Sequence, residues 1–305
     1  MKNRKRWRTI LAYVLVFSSV TIVLTNLVSD ALVSHYDSSA PRDPASGFLE
    51  GMAPRSLGPE ESKNAVLFVH GFVGSQSNFN TLPDAVAAAG WYVETMRLPG
   101  HGTSPRDFER ISPDELLAGV SEAISSMKAR YGTVVVVAHS MGGALSTLAV
   151  SKEPVNGLVL CAPFFGLTHD RIFGIKTSWL AHHAAPFIRW LPGRPGNGPV
   201  AKPEGRRKVQ SYGWIPMAGA LTAFEIEQRV SDPTVLSRLS MPVLAIHSMA
   251  DTVTSPSATA RAIEMMTSAS TETVWLEKSN HVIFWDYEEE TVRERTLGFL
   301  EEMAD

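Results

Sequence analysis

The segment VVVVAHSMGGALSTLAV, Val134 to Val150, decides the fold. Its opening valines, Val134 to Val137, read as a strand buried on both faces. ALSTLAV reads as the first turns of a packed helix. Only AHSMGG lies between them, which leaves no room for a loop. A strand that passes straight into a helix through small-x-Ser-x-Gly turns so sharply that the residues two before and two after the serine nearly touch. Both must be small, and Ala138 and Gly142 meet that need. The turn lifts the Ser140 hydroxyl above the sheet edge and sets backbone N–H groups at the helix N-terminus beside it. A serine that merely caps the helix is the plainer alternative. The doubled glycine and the valine run argue against it.

A serine hydroxyl is a weak nucleophile unless a base takes its proton and an acid orients that base. The chain supplies both downstream. LAIHSMADTV places Asp251 just past a strand, and SNHVIF places His281 just past the strand TVWLE and before the last helix. Singly, Asp251 reads as a turn or cap residue and His281 as structural. The order Ser, Asp, His at successive strand ends gives them weight together.

Around this centre the chain alternates strand and helix. AVLFVHG (65–71), WYVETMRLPG, GLVLCAP, PVLAIHS and TVWLE are further strand candidates. SPDELLAGVSEAISSMKARYG carries a capping box, with Ser112 as cap, Pro113 at the first helical position and Glu115 at the third. NFNTLPDAVAAAG, SPSATARAIEMM and EEETVRERTLGFLEEM also read as helices. Continuous apolar strands with helices between them predict an α/β fold, a mostly parallel sheet covered on both faces. The alternation fails over 167–232, which shows no clear strand. This stretch is expected to be an inserted, mostly helical cap with its apolar underside towards Ser140, and GRPGNG at 193–198 reads as flexible. Trp179 and Trp214 are candidate pocket walls, with Phe164 and Phe165 leading into the cap. Phe187, Trp190 and Phe224 add aromatic surface. The plainer alternative makes such aromatics the cap's own core.

The N-terminus is of another kind. Lys2, Arg4, Lys5, Arg6 and Arg8 precede TILAYVLVFSSVTIVLTNLV, Thr9 to Val28, which holds no charge. Twenty helical residues span about 30 Å, the thickness of a bilayer's hydrocarbon core. The basic flank predicts a cytoplasmic tail at 1–8, a transmembrane anchor at 9–28 and a body on the non-cytoplasmic side. A cleaved signal peptide, cut near Ser29–Ala31, is the competing reading and would release the body. Residues 29–62, rich in Pro, Ser and Gly, read as a stalk with at most one short edge strand. Beyond the basic tail the chain holds 23 basic against 31 acidic residues, a balance that disfavours nucleic acid as partner. Cys161 is the only cysteine, so no intrachain disulfide forms, and no Cys/His cluster has zinc-like spacing.

HGFVGS (70–75), LPGHGTSP (98–105), AHSMGG (138–143), CAPFF (161–165), HSMADTV (247–253) and SNHVIFWD (279–286) together resemble the α/β-hydrolases, specifically their carboxylesterase and monoacylglycerol lipase branch. The resemblance runs from about residue 63 to the C-terminus. It implies a core of 63–166 and 233–305 around the cap, and hydrolysis of carboxylic esters through Ser140, His281 and Asp251. It implies an oxyanion hole from the backbone N–H groups of Phe72 and Met141, a structural role for His101, and no cofactor or metal. The stretch before residue 63 is short for the family's first two strands, so the sheet is expected to begin with a remnant or with none. Ala138 stands where the family commonly has glycine. An acyltransferase or an aminopeptidase on the same fold, and a non-catalytic membrane-tethered binding module, are the alternatives. AHSMGG and RLPGHG, in place of the GGSWG and DQRG of prolyl aminopeptidases, favour esters.

Overall fold

The computed structural model describes residues 2–193, 196 and 198–304. Helix α1 (Lys2–Ser39) leads to strands β1 (Arg55–Leu57) and β2 (Asn64–Val69), then α2 (Leu82–Ala88), β3 (Tyr92–Thr95), α3 (Pro105–Glu109) and α4 (Pro113–Lys128). The chain continues through β4 (Thr133–His139), α5 (Met141–Val150) and β5 (Gly157–Cys161). The insertion holds β6 (Arg171–Ile172), β7 (Ile175–Lys176), α6 (Thr177–Ala184), β8 (Trp190–Pro192), α7 (Pro203–Arg206), β9 (Trp214–Pro216) and α8 (Met217–Val230). It is followed by α9 (Pro233–Leu236), β10 (Val243–Ser248), α10 (Pro256–Met265), β11 (Thr271–Leu276) and α11 (Glu289–Met303).

The main sheet runs in the order β1-β3-β2-β4-β5-β10-β11. Only β1 is antiparallel to its neighbour. The fold is that of an α/β-hydrolase. Its central strands explain the valine runs. In β4, Val134, Val136 and Ala138 face one core with Leu116, Val120 and Leu145, while Val135 and Val137 face the other with Phe79, Val292 and Phe299. Both faces are covered, so no polar residue interrupts the run. The remnant expected before residue 63 is the three-residue β1, whose Arg55 N–H also reaches Thr95 Oγ1 at 2.8 Å.

Two expectations change. The first concerns residues 29–62. Helix α1 does not end with the apolar run at Val28 but adds about three further turns, to Ser39. The cause is tertiary: Val33 is fully buried, and Asp30 and Asp37 bond to the body. Residues 40–57 pack as well, with Leu49 and Met52 buried and Leu49 N–H bonded to Gly102 O at 2.9 Å. This is not a free stalk. The α1 helix is long and apolar enough to cross a membrane, and its large apolar side chains from Ile10 to Val28 are mostly exposed.

The second concerns the insertion, which is not mostly helical. It contains two small antiparallel ribbons, β6–β7 and β8–β9. These strands are two or three residues long, too short for a period-two pattern to show in sequence. Its longest helix, α8, lies among the core residues beside α5 rather than over the sheet edge alone, with Ala223, Ile226 and Val230 in the main cluster. Of GRPGNG, Arg194, Pro195 and Asn197 lie outside the described residues.

The turn into α5 depends on one close approach. A Cβ on Gly142 would stand 2.3 Å from Val69 O and 2.4 Å from His70 O. Neither oxygen is free to yield, because β2 is fixed by β4 on one side and β3 on the other. Gly142→Ala should therefore cost about 1–3 kcal/mol in unfolding free energy. Urea titration checks this; an unchanged midpoint would show that the strand end can yield.

Candidate active site

Ser140 sits at the tip of this turn with φ 54° and ψ −122°, a conformation that few non-glycine residues adopt. Its hydroxyl is thereby aimed off the strand end. Ser140 Oγ lies 2.9 Å from His281 Nε2, and His281 Nδ1 lies 2.8 Å from Asp251 Oδ2. All three side chains are nearly buried. The structure thus brings Ser140, His281 and Asp251 from three strand ends into one hydrogen-bond chain.

Asp251 is the most densely bonded acceptor of the three. Val253 N–H and Thr254 N–H donate to Oδ1 at 2.7 and 3.0 Å. Thr254 Oγ1 and His247 Nε2 lie 2.8 and 3.1 Å from Oδ2, beside His281. Burial alone would raise this carboxyl's pKa, but the His281 imidazole and the His247 hydrogen bond outweigh it and hold the group well below the usual carboxylate range. An ionised Asp251 accepts the Nδ1–H of His281, a tautomer that turns a bare Nε2 towards Ser140 Oγ.

The loop after β2 completes the floor. Gly71 lets it approach: a Cβ there would stand 2.8 Å from Ser140 Cβ. Phe72 and Met141 flank Ser140, and neither backbone N–H finds an acceptor among the described residues. The loop is braced by two buried imidazoles. His70 Nε2 accepts Leu98 N–H at 3.1 Å, and His101 Nε2 accepts Val73 N–H at 3.2 Å. His101 is thus a structural brace.

Sequence reasoning missed His139, His247 and Asp286. His139 Nε2–H donates to His281 O at 3.1 Å, fixing the backbone of the candidate base, while its Nδ1 is buried without a partner among the described residues. Asp286 is fully buried and accepts backbone N–H bonds from Ala201, Lys202, Asn280 and Tyr287 at 2.7–2.9 Å. It ties the insertion to the loop that holds His281. The signal for all three was their place inside the AHSMGG, HSMADTV and SNHVIFWD motifs.

A cavity of about 540 Å³ opens above Ser140. Its walls correct the aromatic expectation. Trp179 is half exposed and stacks on His183 at 3.7 Å, away from the cavity. Trp214 lies in β9 paired with Pro192, and it is its neighbour Ile215 that lines the space. Phe164 and Phe165 are buried in the main core behind the site. The apolar lining comes instead from Phe72, Val200, Val209, Ile215 and Val282. Among the described residues no His/Cys/Asp/Glu group of metal-holding geometry occurs.

Burial holds three imidazoles neutral. It pushes His70 and His139 down to about 3 and His101 to about 4. The unfolded chain protonates each near pH 6.5. Their stabilisation is complete above that value and is lost as the pH falls towards the folded values, because only the unfolded state takes up the protons. Unfolding free energy should therefore fall by up to about 4 kcal/mol per pH unit between pH 6 and pH 4, three protons at about 1.4 each. Urea titrations at pH 7 and pH 5 check this; equal stabilities would overturn it.

Residues 60–288 match the Hydrolase_4 family, serine aminopeptidase S33. The thermostable monoacylglycerol lipase of Bacillus sp. (strain H-257) is 28% identical over 246 residues, covering 80% of this chain and 93% of that protein. The carboxylesterase of Bacillus subtilis (strain 168) is 21% identical over 84% of this chain and 99% of its own length. Among solved structures, one from the metagenome-derived lipolytic enzymes LipS and LipT superposes with a TM-score of 0.72 at 26% identity, covering 84% of this chain and 99% of that one. Fold, sequence match and relatives agree: the chain belongs to the Hydrolase_4, serine aminopeptidase S33, family of α/β-hydrolases, and is a hydrolase of the lipase and esterase type.

Proposed function

We propose that the protein hydrolyses carboxylic esters, short- to medium-chain acyl esters or monoacylglycerols, through a Ser140 acyl-enzyme. The observation that carries this is the continuous chain from Ser140 Oγ through His281 to Asp251, at 2.9 and 2.8 Å. His281 takes the Ser140 proton as Oγ attacks the ester carbonyl, and returns it to the departing alcohol. Asp251 holds the tautomer and stabilises the imidazolium. The unpartnered N–H groups of Phe72 and Met141 receive the oxyanion, where one donor is worth roughly 3–4 kcal/mol of barrier. Water, activated by His281, then releases the acid.

The cavity lining favours esters over peptides. An aminopeptidase needs a counter-charge for the substrate's α-amino group, and among the described residues no carboxylate lines the cavity. Its polar lining, Asn78, Gln210, Ser211, Thr252 and Asn280 with the cationic Arg206, suits the hydroxyls of an alcohol such as glycerol, while the aliphatic walls suit an acyl chain.

We further propose that α1 stays attached as a single-pass anchor, with the basic end cytoplasmic and the body on the other side. A cut near Ser29–Ala31 would sever a helix whose Asp30 accepts bonds from Arg189 at 2.8 Å and Trp190 Nε1 at 3.2 Å.

Ser140→Ala should lower kcat for p-nitrophenyl esters by roughly 10⁶, and Asp251→Asn by roughly 10⁴, with far-UV circular dichroism unchanged. A panel of these esters, monoacylglycerols and amino-acid p-nitroanilides tests the substrate class; faster cleavage of the anilides would overturn the ester reading. The anchor reading expects full-length chain in the membrane fraction after alkaline carbonate. A soluble mature chain beginning near Leu32 would overturn it.

A further inference from the structure

Helix α1 and the insertion meet at a depth where an isolated anchor would meet only lipid. Asn26 Nδ2 donates to Phe187 O at 2.7 Å, and Asn26 Oδ1 accepts Arg189 N–H at 3.0 Å. Ile22, Val23 and Leu27 share a groove with Ala185, Pro186 and Phe187. The apolar run of α1 ends at Val28. At 1.5 Å per residue, Asn26 lies about 3 Å and Ile22 about 9 Å inside that end. Once α1 spans a bilayer, the loop 185–188 is carried to the boundary of headgroups and acyl chains, which interfacial segments enter by about 5–10 Å.

The side chains at this level suit such a medium. Phe187 is 52% and Ile188 41% exposed. The segment leading to them exposes Trp179, Ile172 and Ile175, and Phe173 at the β6–β7 turn is wholly uncovered. Single exposed apolar residues are ordinary, but a run of this density within 172–188 is not, and its end at 185–187 lies against the uncovered apolar helix α1.

The junction is stiff. Asn26, Asp30, Ser34 and Asp37 recur on one face of α1. Asn26 and Asp30 bond to Arg189, Asp30 also pairs with Arg106, Arg106 reaches Ser34 at 2.9 Å, and Ser104 reaches Asp37 at 2.8 Å. Strand β8 then runs from this clamp to the rim of the Ser140 cavity, where Pro192 and Gly193 line it, about 10 Å further at 3.3 Å per residue.

We propose that the loop 185–188 and the apolar residues before it form a surface embedded in the outer interfacial layer of the lipid bilayer. Helix α1 acts as a strut that fixes it there and holds the cavity rim next to the lipid. This rests on the anchor reading of α1, and its test separates the two. Cys161 is the only cysteine and is wholly buried, so a single surface thiol can be labelled. Full-length Phe187→Cys, carrying an environment-sensitive fluorophore, is reconstituted into phosphatidylcholine vesicles containing lipid with a nitroxide at a shallow acyl position. Ala89→Cys, exposed after α2 at the opposite edge of the sheet, serves as reference.

Quenching severalfold stronger at 187 than at 89 is expected. Equal quenching, with the chain retained after carbonate, overturns the embedded surface and leaves the anchor standing. Release by carbonate overturns both. In the same label, the pair Asn26→Leu and Asp30→Ala should cut quenching at 187 by half or more without loss of retention. Unchanged quenching overturns the strut.

Discussion

The contact between Gly142 and the carbonyls of Val69 and His70 is the constraint on which the site depends. It lets α5 begin directly at the end of β4, one strand away from β2, and so forces Ser140 into its positive-φ conformation. The same crowding brings the loop at Gly71 to Phe72 against Ser140, so the candidate nucleophile and the candidate oxyanion donors are set by a single packing event. Backbone strain at Ser140 is sustained because the parallel strands on both sides leave no alternative path.

Electrostatics at the site follow from burial. His70, His101 and His139 are sealed in and kept neutral, so they act as fixed donors and acceptors for backbone groups. Asp251 is equally buried but gathers enough donors to stay charged. The result is one ionised carboxylate between the imidazoles of His281 and His247, of which His281 reaches on to Ser140. Acidic side chains elsewhere in the last loop do structural work. Asp286 binds four backbone N–H groups and Glu288 accepts from the N–H groups of Glu277, Lys278 and Ser279, so the loop around His281 is folded about carboxylates as well as about the buried Val282, Ile283 and Phe284.

The insertion joins three parts of the molecule. Helix α8 packs into the main core, the β8–β9 ribbon roofs the cavity, and the loop before β8 bonds to α1. Asp286 adds a link from the insertion to the His281 loop. A shift of the insertion is therefore mechanically connected to both helix α1 and the loop that carries His281.

The sequence by itself determined the sheet, the sharp turn and the three residues of the hydrogen-bond chain. These rest on local rules: apolar runs for strands buried on both faces, small residues where backbone meets backbone, and order along the chain for residues at strand ends. It also marked the apolar run of α1 by length and charge alone. Tertiary structure decided the rest. Helix α1 outruns its apolar segment because Val33 is buried and Asp30 and Asp37 find partners far along the chain. Trp179, on helix α6, stacks on His183, and on β9 it is Ile215 rather than Trp214 that meets the cavity, an arrangement that composition does not encode. His139 and Asp286 gain partners distant in sequence, His281 O and the N–H groups of Ala201 and Lys202, and His247 meets Asp251 only once the turn after β10 is folded. A hydrogen bond between such groups depends on where the whole fold sets them, and no local pattern carries that information.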